Sequence, residues 1–271
     1  SLAQQELVVI PHLEMTRYPI SFAQARMLFI EQFEQGSSAY HIPYLAQLDD
    51  DANVFLLEEA INVVSGRHQV MNSVYGYDES NTVYQQVLGK DLVFHSHTCH
   101  GEYELLERVK ADINKPFDLH SEPSLRLHHY QTEQGQYVLL MWHHIAMDGW
   151  SDDIFIRELG EVYQALSDSR EIDLPVLDIN YGDYAAWQRD YLQGEVGERQ
   201  LDYWRRTLSG YETLALPTDR PRPAQIDYRG QDSDFTLDAG LSAELRALAK
   251  AQETTLYTVL LSAFYISLAK L

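Results

Sequence analysis

The chain has 271 residues, enough for one large domain or two small ones, and its 45% hydrophobic and 23% charged residues are an ordinary globular mixture that argues against wholesale disorder. Its 41 Asp plus Glu against 20 Lys plus Arg give a formal charge of −21, which disfavours nucleic acid and anionic membrane as partners, because cationic surface holds both. No apolar run reaches the roughly 20 residues that span a bilayer, Ser1 to Ile10 lacks the basic start and long apolar core of a signal peptide, and the one cysteine, Cys99, excludes an internal disulfide and fits a reducing, cytoplasmic setting.

Residues 1–18 read as a short strand or linker around Leu7-Val8-Val9-Ile10. Ser21 is a plausible N-cap for a helix over 22–33, where Phe22, Leu28 or Phe29, and Phe33 recur at helical spacing, and Gly36-Ser37-Ser38 ends it. Tyr44 to Leu48 is a predicted strand. Asp50-Asp51 precede a helix carrying Val54, Leu57, Ile61 and Val64 on one stripe, with Gly66 placed to close it. Arg67 to Tyr75 leads into a strand; 83–87 and 92–95 are two more. Residues 103–113 form a helix with Leu105, Leu106, Val109 and Ile113 on one side, stopped by Pro116. Residues 124–130 and 136–143 pair as a hairpin across Glu133-Gln134-Gly135. Val138 to Trp142 is continuously apolar, as in a strand covered on both faces. Ser151 is placed to cap the next helix, with Asp152 and Asp153 in its first turn and Phe155, Leu159, Val162 and Leu166 facing inward. A polar connection over 167–178 follows, then helices near 180–193 and 197–208, a rigid linker over 217–223, and a strand over 233–237. The last elements are a helix over 242–250, with Leu241, Leu245 and Leu248 inward, and a largely apolar segment over 256–271. A helix that apolar should be packed inside something, which suggests that the chain is cut from a longer one. The alternation gives a mixed α/β class.

The chemistry-bearing run is His143-His144-x-x-x-Asp148-Gly149, between a buried strand and a helix N-terminus, where α/β folds place ligands. Imidazole titrates near neutral pH, so it can take or share a proton. Asp148 is placed either to orient His144 or to brace the loop through an arginine. Gly149 permits close approach, and its N–H sits where a developing oxyanion is favoured. Spacing alone does not establish catalysis: a second pair, His128-His129, has no Asp-Gly after it.

Met141 to Ser151 reads Met-Trp-His-His-Ile-Ala-Met-Asp-Gly-Trp-Ser and resembles the HHxxxDGWS motif of condensation domains in nonribosomal peptide synthetases. Three further segments agree, in order. Ser21-Phe22-Ala23-Gln24-Ala25-Arg26-Met27-Leu28-Phe29 resembles the first motif, S-x-A-Q-x-R-L-x-F. Residues 67–75 resemble the second, R-H-E-x-L-R-T-x-F, with Gln69, Asn72 and Ser73 in place of its Glu, Arg and Thr, so no role is carried over to Asn72. Tyr181-Gly182-Asp183-Tyr184-Ala185-Ala186-Trp187 resembles the fourth, Y-x-D-Y-A-x-W.

The resemblance implies a chloramphenicol-acetyltransferase-like α/β fold (an α+β sandwich) of two lobes with a tunnel between them. It implies a linker over 1–14, an N-terminal lobe over 15–178, and crossover helices with an incomplete start of the C-terminal lobe over 179–271. The implied reaction is amide formation between a donor aminoacyl or peptidyl thioester and an acceptor amine. Each substrate rides on the 4'-phosphopantetheine of a peptidyl carrier protein, beside an adenylation domain, and neither a directly bound cofactor nor a metal is implied. The catalytic motif falls on His143, His144, Asp148 and Gly149. His144 matches the active-site histidine, His143 supports the turn, Asp148 forms a salt bridge to Arg67 or else to Arg26, Gly149 edges the acceptor side, and Trp150 and Ser151 belong to the substrate channel. With only the first four motifs present, the segment alone is expected to be inactive.

The runs 29–36, 40–43 and 144–146 look like members that take a D-configured donor and an L-configured acceptor. Heterocyclisation domains carry an Asp-rich motif instead, and epimerisation domains share HHxxxDG without this Ser-x-Ala-Gln start. The alternative is a relative that binds carriers or recruits another enzyme without catalysis. A metal set of His95, His97, Cys99 and His100 ranks below a solvated edge strand. Trp142, Trp150 and Trp187 suit ordinary core or a channel wall. Arg199, Arg205, Arg206, Arg220 and Arg222 suit a solvated face first and a carrier-protein or phosphate contact second.

Overall fold

The computed structural model describes residues 9–33, 38–213, 215, 218–221 and 233–270. They belong to two compact units, Ser1–Ser209 and Gly210–Leu271.

The first unit begins with β1 (Tyr18–Pro19), α1 (Phe22–Phe33), β2 (His41–Leu48) and α2 (Val54–Arg67), then a 3-10 turn over Gln69–Asn72. It continues with β3 (Ser73–Tyr77), β4 (Val83–Val87), β5 (Phe94–Thr98), α3 (Glu102–Asn114), β6 (Leu125–Thr132) and β7 (Gly135–His143). It closes with α4 (Gly149–Ser167), α5 (Tyr181–Tyr191) and α6 (Glu195–Thr207). The main sheet has the order β2-β7-β6-β5, antiparallel except for the β5–β6 pair. A parallel neighbour needs a crossover, and α3 supplies it. A second sheet has the order β1-β4-β3. This mixed sheet flanked by helices is the α/β architecture expected.

The apolar run of β7 explains its central place. Leu140 and Trp142 join Leu125 and Leu127 of β6 in a core with Ala60, Ile61 and Val64 of α2 and Phe155 and Val162 of α4. Leu139 points the other way, into a core with Cys99, Tyr130 and Leu105 and Val109 of α3. Period-two alternation therefore sends one apolar set to each face. Met141 joins Ile20, Leu28, Tyr75, Phe117 and Ile145 in a third core beneath α1.

Several boundaries differ from expectation. Asn53, not singled out in the sequence, caps α2, its side chain accepting from the N–H groups of Phe55 and Leu56; Gly66, expected to close the helix, lies inside it. The β6–β7 turn is tighter than predicted, because Gly135 at φ +142° already belongs to β7. Asp148, rather than Ser151, caps α4. Residues 7–8, 34–37, 217 and 222–223, on which parts of the predicted N-terminal strand, the α1 terminator and the Pro linker fall, lie outside the described residues. Residues 167–178 form no helix beyond the end of α4, as predicted. The unit extends to Ser209, so α5 and α6 belong with the sheets, α5 packing on β1.

In the second unit, 233–238 is irregular rather than a strand, and α7 (Ala239–Ala251) starts on the Asp238 cap, whose side chain accepts from the Leu241 N–H. Leu241 and Leu248, expected inward, are exposed. The apolar α8 (Leu256–Leu268), expected to be packed inside something, has no buried residue and exposes Tyr257, Phe264 and Ile266. No helix of the described residues is long and apolar enough to cross a membrane.

Candidate active site

The end of β7 is fixed by pairing with β2 and by the His143 N–H, which donates to the Ser124 carbonyl at 2.8 Å. The His143 ring is fully buried. Its Nδ1 accepts the Ile145 N–H at 3.1 Å, so Nε2 carries the proton, 3.1 Å from Glu31 Oε1. His143 thereby ties the turn to α1 and has no nitrogen left for a substrate. His144 differs. Its backbone N–H donates to the Tyr40 carbonyl at 2.8 Å, which fixes the main chain, and the Tyr40 ring stands edge-on to the imidazole. Its Nδ1 is buried without a hydrogen-bond partner.

His144 faces a cavity of about 440 Å³. The cavity wall draws on all four sequence motifs: Gln24 and Met27 from the first, Arg67 to Met71 from the second, His144 to Asp148 with Ser151 from the third, and Tyr181 and Tyr184 from the fourth. The fold thus converges on one cavity the segments that the chain separates by up to 160 residues, as the Ser21 Oγ to Tyr181 Oη contact at 3.0 Å shows directly.

Asp148 makes no salt bridge to Arg67, contrary to expectation. Its Oδ1 accepts the Ser151 N–H at 2.9 Å and the Ser151 hydroxyl at 2.7 Å. The Ser151 hydroxyl and the backbone N–H groups of the α4 N-terminus hold the carboxyl below its ordinary value. Arg67 instead pairs with the buried Glu158 of α4, Nε to Oε2 at 3.2 Å and Nη2 to Oε1 at 3.4 Å, and its Nη2 donates to the Pro175 carbonyl at 2.8 Å. His68 Nε2 lies 2.8 Å from the same Glu158 Oε2. Burial would push the Glu158 carboxyl up, but the hydrogen bonds from Arg67 and His68 outweigh it and hold it below the ordinary value. The reason for the exchange is local. Asp148 is satisfied within its own helix turn, whereas a carboxylate buried on α4 requires a cation. Arg26 is exposed on α1 and makes no ion pair among the described residues. Asp148→Ala should therefore cost only a helix cap, about 1 kcal/mol. A thermodynamic cycle with Arg67→Ala should show coupling below about 0.5 kcal/mol, measured by urea unfolding; a larger coupling would restore the salt bridge.

Gly149 opens α4, and a Cβ there would meet nothing within 4 Å. The fold itself does not demand glycine. Trp150 is 88% exposed, and neither it nor Gly149, His143 or Arg26 lines the cavity; His144, Asp148, Ser151 and Arg67 do. Trp142 is core, edge-on to Phe155 at 5.0 Å, and Trp187 stacks on Tyr191 at 4.9 Å. Arg205 is held on α6 by Asp202 at 2.9 Å.

Gln24, His68 and Tyr181 are among the wall residues that had no role assigned from the sequence. Gln24 closes a capping box with Ser21, the Ser21 N–H reaching Oε1 at 2.9 Å, while its Nε2 lies 3.2 Å from both Tyr75 Oη and Gln85 Oε1. The Ser-x-x-Gln spacing signalled that box. His68 and Tyr181 lie inside the second and fourth motif segments, and no local pattern reveals their long-range partners. The four residues weighed as a metal set do not come together: His95 is exposed, Cys99 is core, and His97 faces Asp112 and His128.

Condensation domain is the family model the chain matches, over residues 14–271. The chain is 36% identical to a linear gramicidin synthase polypeptide of Brevibacillus parabrevis, over 97% of this chain and 4% of that protein. It is similar in fold to the X-domain in its complex with OxyB from teicoplanin biosynthesis, with a TM-score of 0.80, 24% identity, and coverage of 92% of this chain and 56% of that one. It is similar also to a four-domain nonribosomal peptide synthetase bound to AMP and glycine, with a TM-score of 0.78, 24% identity, and coverage of 98% of this chain and 20% of that one. Its four converging motifs and a match spanning nearly its whole length carry one conclusion, that the chain belongs to the condensation-domain family of nonribosomal peptide synthetases.

Proposed function

We propose that the chain is the N-terminal lobe, with the start of the second lobe, of a condensation domain that forms peptide bonds. The supporting observation is the unpartnered His144 ring on a cavity walled by all four motifs. An acceptor amine attacks the donor thioester carbonyl; the C–N bond forms, the C–S bond breaks, and the donor arm leaves as a thiol. His144 accepts or hydrogen-bonds the amine proton, or steadies the tetrahedral intermediate. The open space over Gly149 leaves room beside the α4 N-terminus. Donor and acceptor arrive on the phosphopantetheine arms of peptidyl carrier proteins, supplied by an adjacent adenylation domain. The rest of the second lobe comes from outside this segment, so the isolated chain is inactive.

The test uses the complete synthetase with loaded donor and acceptor carriers and mass spectrometry of the acceptor carrier. The expected result is the joined product on the acceptor arm. Carriers that bind but keep only their starting loads would support the non-catalytic recruitment reading instead. Paired runs with D- and L-configured donors test the stereochemical preference, D being expected to react faster.

A further inference from the structure

We propose that His97, Asp112 and His128 form a site for one divalent transition-metal ion of the zinc class, between the main sheet and α3. β5 and β6 run parallel with His95 beside His128 and His97 beside Tyr130, so these side chains share the sheet face that α3 covers. On α3, Leu105, Val109 and Asp112 recur at helical spacing and are all buried, which brings the Asp112 carboxylate down onto that face.

One nitrogen of each histidine and one oxygen of Asp112 lie within 4.8 Å of one another. His128 Nδ1 is 3.6 Å from Asp112 Oδ2, too long for a hydrogen bond, and His97 Nε2 is 4.0 Å from the same oxygen. Tetrahedral zinc with bonds of about 2.0–2.1 Å sets its ligands roughly 3.3 Å apart, so small side-chain rotations close the site. The His128 side chain is only 4% exposed, and neither of its ring nitrogens has a hydrogen-bond partner. Buried polar groups are nearly always bonded, so the idle Nδ1 beside Asp112 calls for an occupant.

A cation already stands here. Arg108 places Nε 3.0 Å from Asp112 Oδ2 and Nη2 3.2 Å from His97 Nε2. It is 46% exposed, so it can leave for water and open the fourth position. The Tyr130 hydroxyl donates to Asp112 at 2.9 Å, the outer-shell bond that fixes a ligating carboxylate. Two imidazoles and one carboxylate favour zinc or cobalt over magnesium or calcium. None of these residues lines the His144 cavity, so the ion is structural, pinning α3 to the sheet.

The experiment takes the untagged 271-residue chain after chelator treatment and titrates it with Zn²⁺ by calorimetry and with Co²⁺ by visible absorption. One ion per chain is expected, with a rise in melting temperature. His97→Ala removes a partly exposed ligand whose ring stacks on Tyr130 and His128 but is not itself core, and should weaken uptake about tenfold or more and abolish the rise. Arg108→Gln removes the competing cation and should tighten uptake. Circular dichroism confirms that both variants are folded. No uptake by the wild type and by Arg108→Gln alike overturns the proposal, as does uptake that His97→Ala leaves unchanged, which would mark adventitious binding at exposed histidines.

Discussion

Replacing His144 by Ala in the complete synthetase should lower product formation by about 10²–10⁴-fold, the range for loss of a proton-handling group and equal to roughly 3–5 kcal/mol of barrier. Folding should be almost unchanged. The ring makes no hydrogen bond to a described residue and its Nδ1 is buried unpaired, so truncation breaks no bond and removes an idle polar atom. Melting curves should coincide within about 2 °C, as for substitutions of ~0.5 kcal/mol. The contrast is His143→Ala. That change strands the Ile145 N–H and the Glu31 carboxylate and opens a hole in a fully buried position, at a cost of about 3 kcal/mol. A matched pair of assays separates the two roles: His144→Ala loses rate at constant stability, and His143→Ala loses stability. Full turnover by folded His144→Ala would remove it from the reaction.

What the sequence made legible follows the range of each interaction. The Val138 to Trp142 run fixed a central strand because no other environment suits five apolar residues in a row, and all five are buried. The Ser21 cap was readable because its partner lies three residues away, and the stripe on α2 because helical periodicity alone puts its members on one face, although the side chains it packs on lie far along the chain. The α4 start was misplaced because Asp148 and Ser151 are both good caps, and only the geometry shows which accepts and which donates. The Asp148–Arg67 expectation failed for a related reason. A sequence shows that an arginine needs an acid, not which of 41 acids is buried beside it. Glu158, further along the same helix, carried no pattern that named it. The motifs marked the four cavity segments correctly, but they did not show that Tyr181 reaches Ser21, or that His68 faces α4.

That buried acid sets the second large effect. Glu158→Ala should destabilise the chain by about 3–5 kcal/mol, a fall in melting temperature on the order of 10 °C, because it leaves Arg67 and His68 facing an uncompensated hole. The Arg67 and Glu158 side chains are 19% and 6% exposed, so water relieves little of the loss. Glu158→Gln keeps the shape and loses the charge, and should fall between Ala and wild type. The pH dependence has a definite sign. The carboxyl is held below its ordinary value of 4.5 by its two partners, so the unfolded chain binds the proton first as pH falls. The stabilisation is fully present above pH 4.5 and is lost as the pH drops through the lowered folded value. The stability gap between wild type and Glu158→Gln should therefore be present just above pH 4.5 and close as the pH falls from 4.5 through the lowered folded value, in urea unfolding followed across the range. A gap that persists in acid would mean that packing, not the ion pair, holds α4 to the end of α2. The consequence for the site is direct. Arg67 also anchors Pro175, and Arg67 through Met71 form one wall of the cavity that His144 faces, so the same substitution should lower turnover in the complete synthetase even at temperatures where the protein stays folded.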